Sequence, residues 1–349
     1  MDKGKLVIFD MDGVLVDVTS SYREVVRKTV NLYLKEILGI SIKKENWLTL
    51  SEIDLIKRSG GLNNDWDLTY TILNTILTSY FDSDNRAYIK AFLEIGREAG
   101  KDADKDINTN NLVHLIENYR GKFKRGRIEK AIDNINLSKI FNPKNFKENV
   151  SPFLIYKGDV TTGNLVKRIF QEIYLGKSLF YDIYKEEAIY CKGDGLIEKE
   201  YLIPDIGVIK KLSDLALLSI ATGRPKIEAL YALQRFKIKD FFYPVVTEDD
   251  IEAAEMKTSQ SLRKPNPFII NECISRLNFK ERRNAYYVGD MPDDMEAAVM
   301  AKVQPIGFIY RNNRGNGSEV DIKNHISILK DRGAEVVVFN FDDLIKVVS

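Results

Sequence analysis

The chain has 349 residues, length enough for two domains with buried cores, and its 44% hydrophobic and 30% charged composition excludes a wholly disordered or fibrous protein. Lys and Arg total 52 against 51 Asp and Glu, a formal charge of +1, so no bulk electrostatic case for nucleic acid exists. Two cysteines, Cys191 and Cys273, are too few for a disulfide framework or a four-thiolate zinc site, and no apolar run approaches the roughly 18 residues of a membrane helix.

Leu6 to Phe9 is a continuous run of β-formers, the pattern of a strand buried on both faces, and Asp10-Met-Asp12-Gly13 breaks it. The run is also too short for the apolar region of a signal peptide, so a cytoplasmic location is expected. From Ser20, a candidate cap, helical spacing continues to Gly39, where a C′ glycine can end it. Further helices are expected at 45–58, 66–80 and 85–98. The stretch 100–160 turns rich in Lys, Asn and Asp, with weaker helical periods at 109–119 and 127–137, and reads as the polar part of a helical region. Helical patterning returns at 161–175, and 188–203 reads as a hairpin turning at Gly193-Asp194-Gly195. Beyond Pro204, strands at 215–222, 243–247, 285–289, 304–310 and 335–339 alternate with helices at 225–236, 266–277, 293–301 and 319–332 and a last helix. A lone buried strand at 5–10 is no domain, so it must pair with these later strands. The expected fold class is α/β: a doubly wound parallel-sheet core from 1–17 and 203–349, with a mostly helical domain of 18–202 inserted after the first strand.

Four short motifs fall at the mouths of these strands and loops. Asp10 and Asp12 follow the first strand, where ligands bind in an open parallel sheet, and a paired carboxylate with a glycine beside it suits a divalent cation and a nucleophile. Alone, the same string is a turn with capping aspartates. Gly289-Asp290-Met-Pro-Asp293-Asp294 again lies between an apolar strand and a helix; its strand-end position favours Asp290 for metal, while Asp293 reads as a helix cap. Lys264, in LRKPNPF, is held in an extended loop by the following proline, and by itself reads as a solvated lysine. Thr222-Gly223-Arg224-Pro225 offers a hydroxyl and backbone N–H groups at a strand-to-helix turn, which makes either a phosphate site or an N-cap threonine with a turn glycine.

Taken in order, these motifs resemble those of the haloacid dehalogenase-like superfamily: DMDGVLVD (10–17) its first, Thr222 its second, Lys264 its third and GDMPDD (289–294) its fourth. The likeness covers 1–17 and about 205–310. A helical cap between the first two motifs is the arrangement of the subfamily containing phosphoglycolate phosphatases and β-phosphoglucomutases. Lys57-Arg58-Ser-Gly60-Gly61 is similar to the specificity loop of such caps, which implies substrate contacts for Lys57 and Arg58. The cap is much longer than usual, and Val14 stands where many members have threonine. The resemblance implies that Asp10 attacks phosphorus to form an aspartyl-phosphate and that Asp12 acts as general acid and then base. It further implies Mg²⁺ held by Asp10, Asp290 and the backbone carbonyl of Asp12. Thr222, with Gly223 and Arg224 beside it, would bind the phosphoryl group, Lys264 would neutralise charge, and Asp294 would orient Lys264 or a metal-bound water. Dehalogenases and phosphonatases of the superfamily lack a carboxylate at the position of Asp12. The expected activity is therefore hydrolysis of a small phosphorylated metabolite, with a sugar-phosphate mutase as the alternative and a non-catalytic binding protein disfavoured by the two retained aspartates. Neither nucleic acid nor membrane is expected as a partner, and an oligomeric state is not readable.

Several residues carry plainer expectations. His114 and His325 are too far apart in sequence to support a histidine-based zinc site or triad. Trp47 and Trp66 are expected to pack, and the cysteines to be buried or half-buried small hydrophobes. The run Glu248-Asp249-Asp250 reads as a solvated helix start and the basic run 122–130 as a solvated helix face.

Overall fold

The first apolar run leaves no face to water: β1, Leu6–Phe9, is 0–1% exposed along its whole length. In the computed structural model, which describes residues 4–37, 48–50, 53, 65–81, 154, 158–258, 260–310 and 319–349, the chain falls into two compact units. One is Met1–Val18 with Glu200–Ser349, and the other is Thr19–Lys199. The expected helices at 85–98, 109–119 and 127–137, the basic run 122–130, Trp47, Lys57, Arg58, His114 and most of the helix at 45–58 lie outside the described residues.

Among the described residues of the first unit, six parallel strands form a sheet ordered β5-β4-β1-β6-β7-β8. The strands are β4 (Leu217–Ala221), β5 (Val245–Val246), β6 (Ala285–Gly289), β7 (Gln304–Phe308) and β8 (Val336–Val338), beside β1. Leu6 of β1 registers with Leu217 on one side and Ala285 on the other. From β1 the chain steps outward to β4 and β5, then returns to build β6, β7 and β8 on the opposite side. That reversal makes the boundary between β1 and β6 the switch point, where the loops leaving the strands diverge and open a crevice. Val16–Asp17 (β2) pairs antiparallel with Tyr201–Leu202 (β3), joining the two places where the chain leaves and re-enters this unit.

Side-chain alternation divides β1 between two apolar layers. Leu6 and Ile8 join Ile269, Ile270, Cys273 and Ile274 and the alanines 297, 298 and 301 on one face, while Phe9 meets Phe242 and Phe341 on the other. The helices of these layers are α4 (Ile206–Leu215), α5 (Lys226–Arg235), α6 (Glu248–Thr258), α7 (Phe268–Arg276), α8 (Pro292–Ala301), α9 (Glu319–Asp331) and α10 (Phe341–Val348), as numbered after the three of the second unit. Burying a large apolar side chain stabilises by about 1.5–3 kcal/mol, so this two-faced core dominates the stability of the unit.

The second unit is built, in its described part, on α1 (Tyr22–Leu32, continued by a π turn over Tyr33–Ile37), α2 (Asp65–Phe81) and α3 (Leu165–Tyr184). Tyr22 stacks on Tyr174 at 4.4 Å, and Trp66 meets Phe170 edge-on at 6.4 Å while Lys167 lies over its ring. Helix α3 runs past the expected end at 175 because the chain kinks at Gly176 (φ 73°) and resumes its helical path. Residues 188–203 do not form the expected hairpin. The first part of the segment bonds to α3 instead: the Glu172 carboxylate accepts from the N–H groups of Tyr190 and Cys191, Lys177 N–H donates to the Gly193 carbonyl at 3.0 Å, and Arg168 donates to the carbonyl of the preceding Glu187 at 2.9 Å. A single turn at Leu196–Lys199 follows in place of the second hairpin strand.

Candidate active site

Asp10 and Asp290 are the first residues past the adjacent strands β1 and β6, and the Asp10 N–H continues the ladder by donating to the Val288 carbonyl at 2.8 Å. Their placement at the switch point follows from two buried strands ending side by side. One carboxylate oxygen from each of Asp10, Asp290 and Asp294 lies within 4.8 Å of the others. Two glycines make room for this convergence. Gly13 has φ +76°, a conformation that disfavours side chains, and a Cβ there would stand 2.7 Å from the Asp290 carboxyl carbon. A Cβ at Gly289 would run into the Asp294 side chain.

Lys264 reaches into the same cluster, its Nζ 2.9 Å from Asp10 Oδ1 and 2.8 Å from Asp294 Oδ1. Its loop is pinned to α6: Leu262 N–H donates to Glu255 at 2.7 Å, and Arg263 pairs with Glu255 at 2.7 Å and with Glu248. Burial opposes the charge on Lys264, but the carboxylates of Asp10 and Asp294 hold its ammonium well above the ordinary lysine range. Burial pushes the Asp10 carboxyl up to about 7, against the pull of Lys264.

Asp294, 1% exposed, also accepts from Met291 N–H at 3.0 Å, so it caps α8, one of the two aspartates that the helix start offers for that role. Beneath it, the Tyr287 hydroxyl lies 3.2 Å from both Asp294 Oδ1 and the Ala221 carbonyl, and Lys264 Nζ sits 5.4 Å over the Tyr287 ring. Tyr287 stands in a run that reads as wholly apolar. The signal for it was chemical: a buried tyrosine needs a partner for its hydroxyl.

The turn after β4 divides its residues. Thr222 is 1% exposed, with its N–H on the Val246 carbonyl at 3.0 Å and its hydroxyl accepting from Arg224 N–H at 3.2 Å. Gly223 is exposed, with open space where a Cβ would be. Arg224 is 2% exposed and turns to carboxylates, its Nε 2.5 Å from Asp12 Oδ1 and its Nη1 3.0 Å from Glu200 Oε2. Asp12 thus faces Arg224, outside the acidic group of Asp10, Asp290 and Asp294. Lys57 and Arg58 lie outside the described residues.

Three neighbours of the site carry no motif signal. Glu200 holds Arg224; His325 places its Nε2 2.8 Å from the Asp290 carbonyl; and Glu248 is buried. The acidic run at 248–250 does start a helix, as expected, but only Asp249 is solvated and Glu248 is buried. Glu248 pairs with Arg263, Asp249 accepts from Lys226 N–H at 2.7 Å, and Asp250 accepts from Thr247 N–H at 2.8 Å.

Comparison with known proteins extends this picture. The model of a family described as haloacid dehalogenase-like hydrolase matches residues 5–302. A solved Northeast Structural Genomics Consortium target is 20% identical, covers 99% of this chain and 98% of its own, and superposes with a TM-score of 0.62, a likeness of fold. A phosphatase from Thermococcus thioreducens is 18% identical, with coverage of 92% and 99% and a TM-score of 0.48. A curated protein named imidazoleglycerol-phosphate dehydratase, from Phytophthora nicotianae, is 34% identical over 67 residues, or 19% of this chain; the match spans 12% of that protein's length. Among the described residues no helix is long and apolar enough to cross a membrane.

Proposed function

The chain belongs to the haloacid dehalogenase-like hydrolases, and we propose that it is a Mg²⁺-dependent phosphomonoesterase acting on a small phosphorylated metabolite through an aspartyl-phosphate on Asp10. One observation carries the reading. At the switch point of the sheet a buried carboxylate, Asp10, meets the Lys264 ammonium at 2.9 Å and shares a space within 4.8 Å with the carboxylates of Asp290 and Asp294. Three acidic side chains so close repel one another and any phosphate dianion unless positive charge is supplied. Lys264 supplies one such charge, and an all-oxygen donor set fits a hard divalent cation. Asp10 and Asp290, with the backbone carbonyl of Asp12, would hold the cation, while Asp294 is taken up with Lys264 and the α8 cap. Bound Mg²⁺ would contribute neutralisation of the phosphoryl oxygens.

Phosphoryl transfer demands positioning and charge stabilisation above all, and the chain's own residues divide that work. The Asp10 carboxylate attacks phosphorus as the ester oxygen leaves with a proton from Asp12. Asp12 then takes a proton from the water that attacks the aspartyl-phosphate, and inorganic phosphate departs with Asp10 regenerated. The Thr222 hydroxyl donates to a phosphoryl oxygen, and Lys264 steadies Asp10 and the incoming charge. A reducing, cytoplasmic setting belongs to the same proposal, supported by Cys191 and Cys273, both free thiols. The test is the Asp10→Asn variant assayed on an aryl phosphate with Mg²⁺: phosphate release should vanish while the thermal melt stays cooperative. Turnover retained in that variant refutes the assignment.

A further inference from the structure

Arg224 carries a deeply buried charge near the site. Its side chain is 1% exposed, yet it is an arginine in a motif that reads as phosphate-binding. A guanidinium buried to this degree is tolerable where carboxylates meet it, and here two do: Asp12 Oδ1 at 2.5 Å from Nε and Glu200 Oε2 at 3.0 Å from Nη1. Glu200 is itself fully buried in its side chain. Both bonds come from a planar fork, so the position of Glu200 fixes the plane of the guanidinium and thereby the direction from which Asp12 is held. The Arg224 backbone is fixed as well, its N–H on the Thr222 hydroxyl at 3.2 Å and its carbonyl accepting from Glu248 N–H at 3.0 Å. Glu200 is anchored in turn through its carbonyl, which accepts from Arg235 at 3.2 Å.

We propose that Arg224 and Glu200 are positioning residues for the proton transfers of Asp12, with Glu200 aiming Arg224 and Arg224 holding one oxygen of the Asp12 carboxyl. This rests on the phosphomonoesterase reading, since it assigns a role in that reaction. It also removes Arg224 from the substrate contacts. Asp12 is half-exposed at the mouth of the sheet, at 26% of its side chain, and without a fixed partner its carboxyl would rotate among orientations. General acid catalysis needs the proton within hydrogen-bond reach of the leaving oxygen, so orientation governs its share of the rate, typically 10²–10⁴-fold.

The leaving group separates positioning of Asp12 from a role in the fold or in phosphate binding. An alkyl phosphate leaves as an alkoxide and needs the proton; 2,4-dinitrophenyl phosphate leaves as a stable phenolate and does not. The experiment compares kcat/KM for glycerol phosphate and for dinitrophenyl phosphate, with Mg²⁺, in the wild type, in Glu200→Gln, and in the double variant Arg224→Met, Glu200→Leu. The double variant removes both charges of the buried pair together and so guards against loss of the fold. The expected result in both variants is a fall on the alkyl ester at least tenfold larger than the fall on the aryl ester. Equal falls on both esters, or no fall, overturn the proposal. A rise in KM on both esters with kcat kept also overturns it, because Arg224 would then be a phosphate ligand. A wild type that releases phosphate from neither ester, or an Asp10→Asn variant that still does, overturns the hydrolase reading and this inference with it.

Discussion

Gly13 gives the sharpest structural prediction, because it concerns a residue with no chemistry of its own. Replacing it by alanine has two costs. The backbone at φ +76° must be kept with a Cβ present, which costs about 1–2 kcal/mol. The new Cβ would also lie 2.7 Å from the Asp290 carboxyl carbon, where ordinary contact begins at 3.4 Å, so the carboxyl must retreat by at least about 0.7 Å. A displacement of that order at a ligand can lower metal affinity by about 10–100-fold, and a 1 Å misplacement can cost about 10²-fold in rate. Gly13→Ala is therefore expected to fold, to melt roughly 2–8 °C below the wild type, and to bind Mg²⁺ at least tenfold more weakly by titration calorimetry. Gly207→Ala is the control: its Cβ meets nothing within 4 Å, it lies in α4, and alanine there should raise stability by up to about 1 kcal/mol without touching Mg²⁺ affinity. A Gly13→Ala protein that binds Mg²⁺ within twofold of the wild type would show that Asp290 is not a ligand or that the convergence is misjudged.

Other expectations follow from the same contacts. Lys264→Met leaves the buried Asp10 and Asp294 carboxylates without their ammonium; denaturant melts should show a loss of about 3–5 kcal/mol, and phosphate release should be lost. Tyr287→Phe removes a hydroxyl 3.2 Å from Asp294 and should cost about 1–2 kcal/mol with a several-fold fall in kcat, read from melts and steady-state kinetics. Burial pushes the Glu248 carboxyl up to about 7, despite the Arg263 guanidinium, so its contribution to stability is full below pH 4.5 and is lost as pH rises through about 7. The melting temperature of Glu248→Gln should accordingly gain on that of the wild type between pH 5 and pH 8; a gap that stays constant or widens contradicts the shift.

Legibility in the sequence tracked burial and periodicity. The strands at 6–9 and 285–289 announced themselves because strands covered on both faces are continuous apolar runs, and their ends located Asp10 and Asp290. Helix α4 was not expected: IGVIKKLSDL follows Pro204 closely and passes into β4 through Ala216 alone, so no polar break separates it from the strand. The hairpin at 188–203 failed for the opposite reason. Its glycines mark only a bend at Gly193, the partner of the backbone before it is α3, and a side chain such as Glu172, 18 residues before Tyr190, cannot be foreseen by local pattern. Within the site, the motif residues were visible and their supports were not. Glu200, Tyr287 and His325 act through contacts across 24, 7 and 35 residues, and only the folded chain brings them to Arg224, Asp294 and Asp290.

The covalent step is the centre of the proposed mechanism and can be tested directly. Protein mixed with Mg²⁺ and an alkyl phosphate, quenched with borohydride during turnover and mapped by peptide mass spectrometry, should carry homoserine in place of aspartate at position 10, and Asp12 and Asp290 should be unmodified. Steady phosphate release with no reduction at Asp10, or with the modification at another residue, would contradict the assignment of Asp10 as the nucleophile.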